Sequence, residues 1–475
     1  MNSLFRTLAP GILMMLIISC SGSGSGKKNS ESIVPEPGVV HTSIACAGNR
    51  SLSYALYIPK GSYPGKDIPS THLFPLIIAF DPHGDGSLPL TKYQALAEKF
   101  GIMFIGSNNS KNGLPATEIQ EIVNGLMTEA RAVYPVDTSR IYLLGFSGGA
   151  RVAAMAGLYQ VQVKGVIGCG AGFGNTQQPV RYKFDYYGMA GTADFNMREL
   201  LQMEEPLTST GFRHFIATFP GIHAWPSYEA MEDAVTWITL NAFRDRKIPQ
   251  DNAFISGADK LFTDRINQLK NRNDLIAADG MYRMAISFLE GLTTVDKYRS
   301  ERAALEGLPS YRSQQAYREK ILQLEEKEKQ ELAGALQEKE IAWWKMKISD
   351  MEHRLSENRL KNSKVNPEDT LKDRRVMAFL SLYCYMNANA AVSQQDELSS
   401  ARLITIYELA DKVNPEPNYM RAILYARHQE SEAAIGQLTI AIKKGFTDKQ
   451  RLLNQVEFQP MTSSPSWVEL LKTIR

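Results

Sequence analysis

Gly145-Phe146-Ser147-Gly148-Gly149 constrains what this chain can fold into more than any other stretch. Before it stands Arg140-Ile141-Tyr142-Leu143-Leu144, a β-prone run introduced by the turn-like Pro135-Val136-Asp137-Thr138-Ser139. After it comes Ala150-Arg151-Val152-Ala153-Ala154-Met155-Ala156, a strong helix former. The predicted order is strand, sharp turn, helix. A serine at the apex of such a turn sits in strained backbone geometry, and side chains two residues before and after it would collide. Only small residues fit at those positions. The arrangement is that of a serine nucleophile raised above the carboxyl edge of a sheet.

If Ser147 is a nucleophile, an acid and a histidine are expected after it, each on a loop following a later strand. Val163 to Gly168 is one strand candidate. Phe184-Asp185-Tyr186-Tyr187-Gly188-Met189-Ala190 is the next, ending in Gly191-Thr192-Ala193-Asp194. Asp194 is the predicted acid. Phe215-Ile216-Ala217-Thr218-Phe219 is a further strand and opens into Pro220-Gly221-Ile222-His223-Ala224-Trp225-Pro226. His223 is the predicted base. The rivals are poorly placed: His214 and Asp185 begin their strands, at the wrong edge of the sheet, and Asp185 reads as a solvated edge residue. Asp233 falls on the helix after the histidine loop.

On these motifs, residues 44–245 resemble the α/β-hydrolase superfamily, especially small secreted esterases related to polyhydroxyalkanoate depolymerases, feruloyl esterases and dienelactone hydrolases. The likeness rests on the turn at Ser147, the Gly-Thr-Ala-Asp loop and the Gly-Ile-His-Ala-Trp-Pro loop. It implies that Ser147 attacks an acyl carbonyl, that His223 takes and returns the proton, and that Asp194 holds the imidazole in the productive tautomer. It implies acyl-enzyme hydrolysis of an ester substrate, polymeric esters included, without metal or organic cofactor.

A tetrahedral oxyanion needs two backbone donors, and the first is expected from Gly148, after the nucleophile. The second should follow the strand Pro75 to Phe80, in Asp81-Pro82-His83-Gly84-Asp85-Gly86. Relatives carry His-Gly directly after the strand, whereas here Asp81-Pro82 takes that place. Pro82 has no N–H, so the amide of His83 is the expected donor, with Asp85 as second choice. About fifteen residues separate Gly168 from Phe184, where many relatives insert a helical lid, and no lid is expected here. Phe146, Phe173, Phe195 and Trp225 are the candidate substrate-pocket residues, with ordinary core packing as the alternative for each.

Arg6, the apolar run from Gly11 to Ile18 and Ser19-Cys20 resemble a bacterial lipoprotein signal. The implication is cleavage before Cys20, lipidation of Cys20 and attachment to a membrane on the periplasmic side or at the outer membrane; a simple secretion signal is the alternative. Residues 21–43, rich in Gly and Ser, read as a flexible tether. Cys46, Cys169 and Cys384 remain. A Cys46–Cys169 bridge or buried free thiols are both compatible with the sequence, and the spacing matches no metal site.

A net charge of +2 over 475 residues makes no electrostatic case for nucleic acid. The length calls for at least two domains. Strand-like runs stop after Phe243, residues 246–256 read as a linker, and 257–475 as an all-α domain. From Arg312 to Asn358 a run rich in Glu, Lys, Gln and Leu predicts one long exposed helix or a helical hairpin, supported by pairs four residues apart. Farther on, Ala422, Tyr425, Ala434, Leu438 and Ala441 fall at tetratricopeptide spacing, and Tyr407, Ala410 and Pro415 fit the end of a preceding repeat. This tail resembles degenerate tetratricopeptide repeats, which implies a protein partner; a helical cap packed on the first domain would use the same pattern. The expected architecture is α/β, a mostly parallel sheet domain followed by an all-α domain.

Overall fold

Eight runs of aliphatic and aromatic residues pair into one sheet. They are β1 (His41–Ala45), β2 (Ser53–Tyr57), β3 (Phe74–Phe80), β4 (Met103–Ser107), β5 (Val136–Phe146), β6 (Gly165–Cys169), β7 (Asp185–Gly191) and β8 (His214–Phe219). The order across the sheet is β1-β2-β4-β3-β5-β6-β7-β8. The first two strands pair antiparallel and the rest run parallel, from β4 through β8. The structure, a computed structural model, describes residues 35–60, 73–174, 180–360 and 366–474, without the side chains of 357–360. The signal segment with Cys20, and residues 21–34 of the expected tether, lie outside the described residues.

Two boundaries are corrected. Residues 41–43, assigned above to the tether, belong to β1, and Gly38 N already donates to Ile58 O at 2.7 Å. The turn expected at 135–139 is the first half of β5, which runs eleven residues; a register shift against β3 absorbs the irregular stretch between Val136 and Ile141.

Helices cover both faces. They are α1 (Ser87–Phe100), α2 (Ala116–Val133), α3 (Gly148–Tyr159), α4 (Met197–Leu201), α5 (Glu204–Ser209) and α6 (Tyr228–Arg244). Strand alternation sends successive side chains to opposite sides. Ile77, Ala79, Leu144 and Tyr187 thus pack with Tyr93 of α1 and Trp237 of α6, while Leu76, Ile78, Leu143 and Tyr186 pack with Leu126 of α2 and Ala153 of α3. This is the α/β architecture the sequence predicts. An all-α region follows it.

The apolar core does not stop where the strands do. After α6 come α7 (Asn252–Asn271), α8 (Leu275–Leu289) and α9 (Asp296–Gly307). Phe288 of α8 packs against Phe215 of β8 and Phe262 of α7, with ring centroids 5.7 and 5.2 Å apart. The expected linker therefore ends early: α7 starts inside it, capped by Asp251, whose side chain accepts from Phe254 N.

The charged run breaks at Lys339 into α10 (Pro309–Glu338) and α11 (Ile341–Leu360). It is a hairpin. Its ion pairs cross between the two helices, Arg354 to Glu328 at 2.7 Å and Lys347 to Glu331 at 3.1 Å, as well as running along each. Next come α12 (Pro367–Ser393), α13 (Glu397–Ala410), α14 (Glu416–Arg427), α15 (Ser431–Lys443), α16 (Lys449–Asn454) and α17 (Pro465–Lys472). Short turns make hairpins of α12 with α13 and of α14 with α15, and Ala422, Ala434, Leu438 and Ala441 are fully buried between them. The described cysteines Cys46, Cys169 and Cys384 are buried free thiols; Cys46 and Cys169 lie on opposite faces of the sheet.

Candidate active site

The turn after β5 has the strain that its sequence anticipates. Ser147 sits at φ 52°, ψ −119°, and Gly148 begins α3. A β-carbon on Gly145 would fall 2.1 Å from Gly149 O, and one on Gly149 would fall 1.9 Å from Phe80 O, so neither position admits a side chain. Ser147 N donates to Cys169 O at 2.8 Å, which ties the apex to the neighbouring strand.

Three loops bring the predicted side chains together. His223 Nδ1 lies 2.9 Å from both carboxylate oxygens of Asp194, and His223 Nε2 lies 3.0 Å from Ser147 Oγ. With the Nδ1 hydrogen facing the carboxylate, Nε2 is the acceptor for the serine hydroxyl. Asp194 is buried, and its Oδ1 also accepts from Asn196 N at 2.8 Å. Asn196 Nδ2 in turn donates to Gly170 O at 2.8 Å, on the loop after β6. The acid and histidine loops are joined directly, Thr192 N to Phe219 O and Ala193 N to Gly221 O, both 2.8 Å.

Of the four aromatics, three gather here. The imidazole lies between the rings of Phe146 and Phe195, at centroid distances of 4.7 and 4.3 Å. Trp225 stands against Phe146 at 5.5 Å. Phe173 is elsewhere, packed with Phe184, Tyr186 and Phe212 on the other face of the sheet.

The loop after β3 is arranged around Asp81, a residue that sequence reading noted only as an irregularity. Its carboxylate is buried and accepts from Trp225 Nε1 at 2.8 Å and from the His83 amide at 2.8 Å. Burial pushes Asp81 up, but the His83 ring, 3.4 Å away, the indole and the amide together outweigh it and hold the carboxyl below its ordinary range. The His83 N–H thus faces Asp81, and the His83 side chain points into solvent, 84% exposed. The side chain of Asp85, the second choice, accepts from Ser87 N and Leu88 N at the start of α1. Asn112, which the sequence did not single out, brings its side-chain oxygen against Gly148, where a β-carbon would meet it at 1.8 Å. Its own amide donates to Pro82 O at 2.8 Å, so the loops after β3 and β4 border the start of α3 together.

His214 and Asp185 lie at the far edge, as their place at the strand starts requires. Asp185 is not solvated, however: it is buried and pairs with Lys164 at 2.5 Å and Arg213 at 3.3 Å. Asp233 pairs with Arg265 at 2.8 Å on α6. Between β6 and β7 the described residues 170–174 and 180–184 form no helix. A cleft of about 340 Å³ opens beside Phe195, between Arg198 and Gln202 on one side and Lys329, Phe379 and Leu382 on the other. Among the described residues, no cluster of three or more His, Cys, Asp or Glu could hold a metal ion, and no helix is long and apolar enough to cross a membrane.

No family model and no curated protein matches the chain. Among solved structures it is similar to an S-formylglutathione hydrolase from Staphylococcus aureus, with TM-score 0.35 and 13% identity over 43% of this chain and 99% of that one. A Pyrobaculum calidifontis esterase gives 0.35 and 14% over 44% and 87%, and Est1E from Butyrivibrio proteoclasticus gives 0.32 and 14% over 42% and 98%.

Proposed function

We propose that this protein is a serine hydrolase that cleaves carboxylic esters through an acyl-enzyme, held outside the cytoplasm by a lipid on Cys20. The observation that carries the hydrolase reading is the chain of contacts from Ser147 Oγ through His223 to Asp194, with the serine at positive φ before α3. In the proposed reaction, Ser147 Oγ attacks the ester carbonyl carbon while His223 Nε2 takes the hydroxyl proton. Asp194 stays ionised and stabilises the imidazolium. Collapse of the tetrahedral adduct breaks the bond to the alcohol oxygen, which leaves with the proton from Nε2. Water then repeats the sequence on the acyl-serine, returning the free acid and Ser147.

Gly148 is the first oxyanion donor in this scheme, at the positive end of the α3 dipole. His83 serves as the second only if its N–H turns from Asp81 toward the substrate. Phe146, Phe195 and Trp225 would form the apolar wall, and the described residues around the triad include no propeller or lid of the kind that peptidases of this fold use to select peptides. An open site suits bulky or polymeric esters. In the helical half, the pairs α12 with α13 and α14 with α15, with small residues buried between them, support tetratricopeptide-like docking of a protein partner. Attachment to the membrane rests on the sequence around Cys20.

The test is turnover of p-nitrophenyl and feruloyl esters by the protein starting after Cys20, beside Ser147→Ala and an aminopeptidase-type anilide. Ester turnover and fluorophosphonate labelling, both lost in Ser147→Ala, are expected. Turnover of the anilide alone would make it a peptidase, and neither turnover nor labelling would leave a scaffold. Metabolic labelling with a fatty acid, lost in Cys20→Ala, checks the anchor.

A further inference from the structure

The loop that carries Asp194 is held from outside its own domain. Two carbonyls flank the acid, those of Thr192 and Phe195. Arg375 Nη1 of α12 donates to Thr192 O at 2.6 Å, and Lys329 Nζ of α10 donates to Phe195 O at 3.1 Å. From α4, just after the loop, Arg198 reaches back to α10, its Nη1 donating to Leu322 O at 2.5 Å and its Nε 3.9 Å from Glu326 Oε2.

Both cations are themselves fixed. Arg375 and Glu325 are each 1% exposed, and Lys329 is also buried. Glu325 Oε2 lies 2.7 Å from Arg375 Nε and Nη2, and Glu325 Oε1 lies 2.7 Å from Lys329 Nζ. Removing three charges from water is costly, and an apolar trio of similar volume would ordinarily serve stability as well or better. Apolar side chains could not, however, supply N–H donors to the part-buried Thr192 and Phe195 carbonyls. The ionic trio meets that need, with Arg375 donating from Nη1 to the Thr192 carbonyl and from Nε to Glu325 Oε2. Its helical spacing agrees: Ile321, Glu325, Lys329 and Leu332 form one buried stripe of α10.

We infer that Arg375 and Lys329, braced by Glu325, are positioning residues for the acid loop, so that the helical half completes the active site by holding Asp194 and Phe195 against His223. The inference rests on the triad reading above. Phe195 packs against the imidazole with ring centroids 4.3 Å apart and Asp194 bonds its Nδ1 at 2.9 Å, so a shift of either flanking carbonyl is passed to the ring through both contacts. Misplacement of a catalytic group by about 1 Å can cost on the order of 100-fold in rate.

The experiment uses the chain starting after Cys20, with Arg375→Met, Arg375→Lys and Lys329→Met. Arg427→Met is the control, since Arg427 makes comparable contacts to Val392 O and Glu457 within the helical half, away from the acid loop. The hydrogen-bonded His223 Nδ1–H proton is followed by ¹H NMR, assigned with His223→Gln, and ester kcat and KM are measured on the same samples. Misalignment of the carboxylate weakens the hydrogen bond from His223 Nδ1 to Asp194. The Nδ1–H resonance should therefore move upfield in Arg375→Met and Lys329→Met, with kcat down about 10- to 100-fold and KM changed less than about threefold. Arg375→Lys should restore part of both, and Arg427→Met should move neither, even at equal loss of thermal stability. An Nδ1–H resonance unmoved in all variants, or moved equally by Arg427→Met, would overturn the positioning role while leaving the Ser147→Ala result intact. Turnover that persists in Ser147→Ala would overturn the hydrolase reading, and the positioning role with it.

Discussion

At the edge of the sheet away from the triad, Lys164, Asp185, Arg213 and Asp245 form a cluster of four charges, three of which keep some contact with water. In the helical half, Glu325, Lys329 and Arg375 form a trio with almost none. The two groups have similar distances and opposite consequences. At the rim, solvent screens each pair and can replace any partner that is lost. In the interior, water cannot replace a lost partner, and loss of Glu325 would leave both Arg375 and Lys329 without a carboxylate. The interior trio also carries out a task the rim cluster lacks, since it ends on the carbonyls beside Asp194.

The largest effect expected belongs to neither group. Ser147→Ala should lower kcat about 10⁴- to 10⁶-fold without changing the denaturant midpoint, measured by ester turnover and chemical unfolding on one preparation. It sets the scale against which the positioning effects are read. Next, Arg375→Met should destabilise the protein by about 3 kcal/mol, whereas Arg213→Met should cost no more than about 1 kcal/mol, both by urea unfolding. Equal costs would erase the contrast between rim and interior. Adding Glu325→Met to Arg375→Met should cost less than the sum of the singles, because both singles remove the same Arg375–Glu325 pair.

A smaller effect is expected at Asp81. Asp81→Asn keeps one acceptor for Trp225 and His83 but removes the charge that steadies both contacts. Turnover should fall about tenfold with little loss of stability. An unchanged kcat would detach the loop after β3 from the reaction.

The smallest effect distinguishes the rim by pH. Burial pushes Asp245 up, but hydrogen bonds from Arg213 and Lys164 and their charges outweigh it and hold the carboxyl down at about 2, against an ordinary 3.8. A carboxyl depressed on folding stabilises above its unfolded value and loses that contribution as pH falls through the folded one. Stability should decline by roughly 1 kcal/mol between about pH 4 and pH 2, and Asp245→Asn should flatten that part of the profile. Thermal unfolding across this range reads it, and an unchanged slope in the variant would assign the acid loss to other carboxyls.

What could be read from the chain followed the range of the forces involved. The strand, sharp turn and helix around Ser147 were legible because the steric demand at Gly145 and Gly149 is local and leaves one residue type that fits. Strand alternation and the acid and histidine loops were legible for the same reason, each being an apolar run followed by a turn. Asp185 was misread because its partners Lys164 and Arg213 come from neighbouring strands, and an aspartate at a strand start looks solvated until they are placed. Phe173 was misassigned because ring composition says nothing about which face of the sheet a loop will turn to. In the charged run, Glu325 and Lys329 look like any i,i+4 surface pair; nothing local marks them as buried.

By itself, then, the sequence determined the order of elements, the strained serine and the two loops that follow it, because backbone sterics and the alternation of apolar residues act within a few positions. Only the tertiary structure decided that the His83 N–H meets Asp81, that α7 to α9 extend the sheet's own core, and that Arg375 reaches Thr192, 183 residues away in the chain. Those outcomes depend on which charges lose water and which carbonyls lack a local donor. Neither is defined until distant segments have packed.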